Sequence, residues 1–263
     1  MTWSGETPAW REVVQAMRGA SDAEESVRLG EGVGDEEMNG WGVSVPEPIR
    51  EICRRSGVLQ VGPHGEFGAA YRSGAVNGGA VRRCGKPGSF RVVHTNAAAE
   101  TYYVDIDPGT GAWGPVFKFW EDHGAELVAP SLAHWLVTVA ELVKRASEDA
   151  EHFGGFSTAF LNWFSGDFAD ADDEFPEDSP AALARAAGPV TAMPVTAEAA
   201  RASGDAVLAD IGSRLPERAL VADLRRADGP TEIPFGRHPG WAGGTPVYHR
   251  FHNGTILAAV GEA

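Results

Sequence analysis

Three adjacent residues, Glu121, Asp122 and His123, are the side chains in this sequence best suited to proton transfer. A carboxylate beside an imidazole is an arrangement that general acid–base catalysis uses. A solvated turn at the end of a strand has the same composition, and we expect that plainer role here. A hydrolase hypothesis would require these three side chains to converge in a deep pocket.

The spacing of the histidines and cysteines does not support metal binding. His249 and His252 are three residues apart, so in a strand they face opposite sides and cannot share a metal ion. The Asn253-Gly254 pair that follows favours a hairpin at this point. Cys53 and Cys84 are too few for a disulfide framework or a cysteine metal site, and we expect both to be reduced and buried. The sequence therefore predicts no cofactor.

An alternating segment, 102–107, suggests a surface for a protein partner instead. The alternation puts Tyr103, Asp105 and Asp107 on one face of a strand and aliphatic residues on the other. If helices cover only the aliphatic face, the acidic face points outward. It is then either an ordinary polar surface or a binding surface, whose carboxylates pair with Arg and Lys of a partner.

Neighbouring aromatic and acidic residues extend this candidate surface. Aromatic side chains supply buried area at interfaces. Trp113 is the best single anchor because it lies in a turn, where it has less core to pack into, although it could still fold back onto the sheet. The partner-binding residues predicted in addition to the strand face are Trp113, Trp120, Glu121 and Asp122.

Regular elements flank these residues. TYYVDID and AWGPVFKFW predict a hairpin around PGTG, and a helix follows from Ser131, a good N-cap, to Ala146. Upstream, the pattern predicts helices over 6–18 and 45–57, a loop over 19–40 and a strand over 87–95. Downstream, it predicts an aromatic, partly helical segment at 148–164, helices at 179–187 and 196–214, and strands that end in a hairpin around Asn253-Gly254.

Acidity is the main feature of the composition. The 263 residues carry a formal charge of −15, and 43% of them are hydrophobic, which is enough for a globular core. Phosphate backbones repel such a chain, so we expect no nucleic-acid binding, whereas fast association with a basic protein is favoured. The glycine-rich segments at 65–68 and 74–79 lack the context of a phosphate-binding loop. No signal peptide or membrane span is evident, so a cytoplasmic location is expected.

The character of the sequence changes near residue 146. The formal charge is −5 up to this point and −10 beyond it, and 167–178 holds seven acidic residues without a basic one. We therefore divide the chain into residues 1–146 and an acidic region, 147–263, which is a second domain or an extension of the first. The oligomeric state stays open.

The first of these regions resembles the SMI1/KNR4 (SUKH) superfamily. Members have a first helix, an LP-type segment that opens a second helix ending at glycine, strands with aromatic and acidic residues, a glycine turn and a closing helix. The corresponding segments here are Val45-Pro46 to Gly57, Tyr103–Asp107, Gly109–Gly111 and Val128–Leu136.

This resemblance covers residues 6–146 and implies an α+β fold in which helices pack on a mixed, mostly antiparallel sheet. The pattern of the C-terminal region itself predicts that this region adds helices and a β-hairpin. Bacterial members resemble immunity proteins, which bind a toxin that often acts on nucleic acids and block it. Fungal members resemble regulatory scaffolds. The first hypothesis is therefore a non-enzymatic immunity protein with a basic toxin as partner, and the alternative is an intracellular scaffold.

Overall fold

A computed structural model describes residues 6–72, 88–96, 100–120, 124–165, 190–241 and 246–261. These residues form an α+β fold with three sheets, whose strands are mostly antiparallel. The expected fold class is confirmed, and so is the C-terminal β-hairpin.

One helical layer comes from the N-terminal region. The predicted helices at 6–18, 45–57 and 131–146 are confirmed with shifted ends as α1 (Trp10–Ala23), α3 (Glu47–Arg55) and α4 (Leu132–Glu148). Ser131 caps α4, since its side chain accepts a hydrogen bond from the His134 backbone N–H. The buried side of α4 includes Trp135 and Leu136, which belong to a core shared with α1 and α3.

The segment 19–40 is not simply a loop, which corrects that prediction. It continues α1 and then forms β1 (Val27–Leu29) and α2 (Asp35–Asn39). These elements have three and five residues, which is too short for a hydrophobic period to be recognised. β1 pairs with β2 (Leu59–Val61), which pairs with β3 (Gly65–Phe67), and all pairing in this small sheet is antiparallel.

The central sheet has six strands. The predicted hairpin is confirmed as β5 (Thr101–Ile106) and β6 (Trp113–Phe119). The order across the sheet is β4-β5-β6-β7-β11-β8, with only β11 and β8 parallel. The other four strands are β4 (Phe90–Thr95), β7 (Ala125–Ala129), β8 (Val190–Thr191) and β11 (Thr231–Ile233). Residues on both sides of position 146 thus build one sheet, because β11 pairs directly with β7.

A third sheet comes wholly from the C-terminal region. Its order is β12-β13-β10-β9, with all neighbours antiparallel. The hairpin around Asn253-Gly254 is confirmed, and it joins β12 to β13. The strands are β9 (Val195–Thr196), β10 (Leu220–Asp223), β12 (Pro246–Phe251) and β13 (Ile256–Gly261).

Helices in the C-terminal region differ partly from the prediction. The aromatic segment contains α5 (Phe156–Ser165), as expected. The single helix predicted at 196–214 is two helices, α6 (Ala197–Arg201) and α7 (Ala206–Arg214). Asp205 caps the N-terminus of α7, since its side chain accepts hydrogen bonds from the backbone N–H groups of Val207 and Leu208. The helix predicted at 179–187 lies outside the described residues.

At β5, the central sheet is covered on both faces. On one face, Tyr102 and Val104 pack into the helical core. On the other face, Tyr103, Phe117 and Phe119 pack against the third sheet. As a result, all six residues of β5 are buried.

An ion pair crosses between these two packed sheets. Arg250 Nε of β12 lies 2.5 Å from Asp105 Oδ1 of β5, and both side chains are more than 90% buried. Arg250 also donates to the backbone oxygen and hydroxyl of Ser89 at 2.9 and 2.7 Å. Burial raises the pKa of Asp105 to about 6 despite the opposing effect of Arg250. A carboxyl whose pKa is raised by folding contributes stability at low pH that is lost as the pH rises through about 6.

Gly254 lets the C-terminal hairpin approach this pair. Its φ is +80°, in the left-handed region that favours glycine. A methyl group at this position would lie 2.8 Å from Pro115 Cδ and 2.9 Å from Asp105 Oδ2. The Asn-Gly turn therefore fits closely over β5 and β6, next to the ion pair.

Arg250→Met tests the importance of this pair. We expect the free energy of unfolding to fall by about 3–5 kcal/mol at pH 7, because the buried Asp105 carboxylate loses its counter-charge. The loss should be smaller at pH 5, where the unpaired carboxyl is protonated. Urea unfolding at the two pH values measures both effects.

Two further variants serve as controls. Asp105→Asn combined with Arg250→Met removes both charges and should recover part of the lost stability. Arg214→Met breaks an exposed pair with Asp210 and should cost less than about 1 kcal/mol. An equal loss for Arg250→Met at both pH values would contradict the assigned role of Asp105.

Candidate partner-binding surface

The face of β5 that was expected to point outward is covered. The exposed fraction is 0% for Tyr103 and 5% for Asp105. The expectation of an outward acidic face is therefore wrong for these two residues, because the third sheet packs on this side. Asp105 pairs within the protein with Arg250. Because Tyr103 and Asp105 are both buried, neither of them is accessible to a partner in this fold.

Asp107 lies just beyond β5 and remains partly exposed. Its Oδ1 accepts hydrogen bonds from the backbone N–H groups of Gly109 and Thr110 at 2.7 and 2.8 Å. The hydrogen bonds from Thr110 and Gly109 lower the pKa of Asp107, since they favour the charged form. This carboxylate therefore stabilises the turn of the hairpin.

The two predicted aromatic anchors are held against the protein. Trp113 is the first residue of β6, and its Nε1 donates to the Ser44 backbone oxygen at 2.7 Å. It packs against the helical core, so it folds back instead of projecting from the turn. Trp120 is partly buried, and Lys118 Nζ lies 5.2 Å from its ring centroid. That lysine also pairs with Glu126 at 2.7 Å.

Glu121, Asp122 and His123 lie outside the described residues, so their predicted roles stay predictions. His94 is a satisfied core histidine: its Nδ1 lies 2.9 Å from the Glu66 backbone oxygen and its ring stacks on Phe67. Burial lowers the pKa of His94 to about 4, which keeps it neutral near pH 7.

The described residues contain neither a metal-binding cluster nor a membrane-spanning helix. No group of three or more His, Cys, Asp and Glu residues is arranged to hold a metal ion there. Cys53 is a buried free cysteine, as predicted, whereas Cys84 lies outside the described residues. Within the same part of the chain, no helix combines the length and apolarity that a membrane span requires.

The structure reveals a charged surface that sequence reasoning missed. The C-terminal ends of α1 and α4 meet, since Ser147 Oγ donates to the Ala23 backbone oxygen at 2.9 Å. Four exposed carboxylates lie at or just beyond these two ends. We call this group the acidic helix end; its members are Asp22, Glu25, Glu148 and Glu151.

The carboxylates of the acidic helix end are not engaged in close ion pairs with described cations. Within the described part of the chain, none of its four carboxylates forms an ion pair within 4 Å. Arg145, in the last turn of α4, lies over the Trp163 ring at 4.7 Å from its centroid. Lys144 packs across α1 at Gly19. The two basic residues of this part of α4 are therefore directed to other contacts.

The position of these carboxylates is electrostatically unfavourable for the isolated protein. The C-terminal end of a helix carries a partial negative charge, so acidic side chains near it are repelled. Here two such ends lie side by side, and α1 has no basic residue in its last turn. Local sequence patterns do not indicate this arrangement, because Asp22 and Glu148 are far apart along the chain.

Comparison with known proteins gave no assignment: no protein-family model matches this chain, and no curated protein matches it. The resemblance to the SUKH superfamily therefore stays a prediction.

Asp22→Lys and Glu148→Lys test the electrostatics of the acidic helix end. We expect each to raise the free energy of unfolding by about 0.3–1 kcal/mol at low salt, because a cation replaces an anion at a helix C-terminus. Urea unfolding at low and high salt measures the gain, which should shrink as salt rises.

Asp228→Lys is a matched control, since Asp228 is exposed and lies in a loop. Its effect should stay within about 0.5 kcal/mol. If the two helix-end variants are less stable than the wild type, the description of this surface as repulsive is wrong.

Proposed function

We propose that this protein is a non-enzymatic binding protein of the immunity type. It neutralises a basic protein toxin, of the kind that acts on nucleic acids, by occluding it. The observation that carries this proposal is the acidic helix end, where four exposed carboxylates lack cationic partners among the described residues. The SUKH-like order of elements in residues 6–146 supports the class of protein.

Unpaired carboxylates at two helix ends favour a cationic partner for a simple reason. Arg or Lys side chains brought there by another protein would relieve repulsion among the carboxylates and with both helix ends. Such pairing increases the rate of association more than the lifetime of the complex. The proposed surface is thus costly in the free protein and favourable in the complex.

The charge of the whole chain acts in the same direction. A formal charge of −15 steers basic proteins toward this one over distances of about a Debye length, roughly 8–10 Å at physiological salt. A surface of carboxylates also resembles the phosphate backbone that a nucleic-acid-targeting toxin recognises. Occlusion by mimicry of the substrate's charge is therefore the proposed mode of inhibition.

An intracellular regulatory scaffold is the second candidate, and a different surface favours it. Val190, Met193 and Val195 are 57%, 63% and 40% exposed. They lie at or between β8 and β9, which are edge strands of the central and third sheets. A partner that docks here would bind mainly through apolar contacts, and salt would affect its affinity little.

Affinity purification with three baits distinguishes these functions. The baits are the wild type, Asp22→Lys/Glu148→Lys and Glu217→Lys/Asp228→Lys, prepared from cells that encode the protein. We expect one stoichiometric basic protein with the wild type and with the second double variant, but little with the first. The captured protein should be a toxin whose activity falls to zero at one equivalent of the wild type.

The second double variant is the matched control, because each substitution changes the charge by two and both double variants therefore go from −15 to −11. Association of the helix-end variant should be slower by on the order of tenfold at low salt. Equal binding by both variants would refute the acidic helix end as the contact surface. A partner that persists at high salt and has no toxic activity would favour the scaffold.

A further inference from the structure

Arg91 of β4 has an environment that the proposed function does not explain. Its guanidinium carbon lies 3.4 Å from the centroid of the Trp41 ring, so the two planar groups are in close contact. Its Nε donates a hydrogen bond to the backbone oxygen of Ala69. These two contacts fix both the position of the guanidinium group and one of its edges.

Arg91 differs from the other arginines with similar burial. Five arginines among the described residues are partly buried: Arg50, Arg54, Arg91, Arg225 and Arg250. Four of them lie within about 3 Å of a carboxylate oxygen. Arg91 has no carboxylate within 4 Å in the described part of the chain, although the protein has 37 acidic residues and only 22 Lys and Arg.

The groups around Arg91 do not compensate its charge. Glu37 acts on it from beyond 4 Å, but Glu37 forms its own ion pair with Arg72 at 2.6 Å. Burial raises the pKa of the nearby Cys53 thiol to about 12, so this group is neutral near pH 7. Burial also lowers the pKa of Arg91 to about 10, which still leaves it charged.

Among the described residues, no hydrogen bond or ion pair uses the terminal guanidinium nitrogens of Arg91. These two nitrogens together carry four N–H donors. The contact with Trp41 involves the flat face of the guanidinium group, and the hydrogen bond to Ala69 involves Nε. The fork of an arginine matches the paired oxygens of a carboxylate or phosphate group. Trp41 and Arg91 are both only partly buried, so part of this pair is exposed to solvent.

We propose that Arg91 and Trp41 form a receptor for one oxyanionic group, a carboxylate or a phosphate, of a ligand. Trp41 holds the guanidinium plane, and the terminal nitrogens of Arg91 bind two oxygens of the ligand. The site uses no residue of the acidic helix end, and its existence does not depend on the proposed toxin.

Nuclear magnetic resonance of the arginine Nε–H groups tests this site on the full chain. The probes are sodium acetate and sodium phosphate, each titrated through the millimolar range at constant ionic strength with sodium chloride as the balance. We expect the Arg91 signal, assigned by its loss in Arg91→Lys, to shift saturably with at least one probe. A response to acetate alone identifies a carboxylate site, and one to phosphate alone identifies a phosphate site.

The paired arginines provide internal controls, since Arg225 and Arg250 already bind carboxylates and their signals should not shift saturably. Trp41→Leu keeps Arg91 but removes the ring, so it should weaken the binding several-fold. This second variant keeps the test valid if Arg91→Lys does not fold. The proposal is refuted if neither probe shifts the Arg91 signal of the wild type more than chloride does.

Discussion

The burial of β5 on both faces of the central sheet is the constraint on which the rest of this structure depends. Helices cover one face and the third sheet covers the other, so successive residues of β5 enter two different cores. A polar residue at such a strand position must find its partner inside the protein. Asp105 meets this requirement through Arg250, which belongs to the sheet on the opposite side.

The sequence predictions that succeeded depend on local patterns, and the one that failed depends on what covers β5. Helices with clear apolar periods, the β5–β6 hairpin and the Asn253-Gly254 hairpin follow from local patterns, and the structure contains all of them. The alternation of Tyr103 and Asp105 was recognised correctly, but its meaning depended on a sheet that begins about ninety residues later. An alternating pattern indicates that the two faces of a strand differ, but it does not indicate what covers each face.

The acidic helix end shows the opposite limitation. Its residues lie in two helices that are separated by more than a hundred residues, and only the packing of α1 on α4 brings them together. Arg91 likewise could not be recognised from sequence, because the sequence does not show which charged side chains lie next to each other in the fold. Both features depart from the usual pairing of charges in folded proteins, and such departures concentrate at functional sites.

The pairing of β7 with β11 has a consequence for how the protein is made. The ribosome completes β7 about a hundred residues before β11, which takes about 5–20 s at the usual rate of about 5–20 residues per second. During this interval the nascent chain has an unpaired strand edge beside an uncovered aromatic surface that includes Tyr103, Phe117 and Phe119. Nascent chains in this condition aggregate readily and are typical substrates of chaperones. The C-terminal region thus determines not only the final core but also how long the growing chain needs protection.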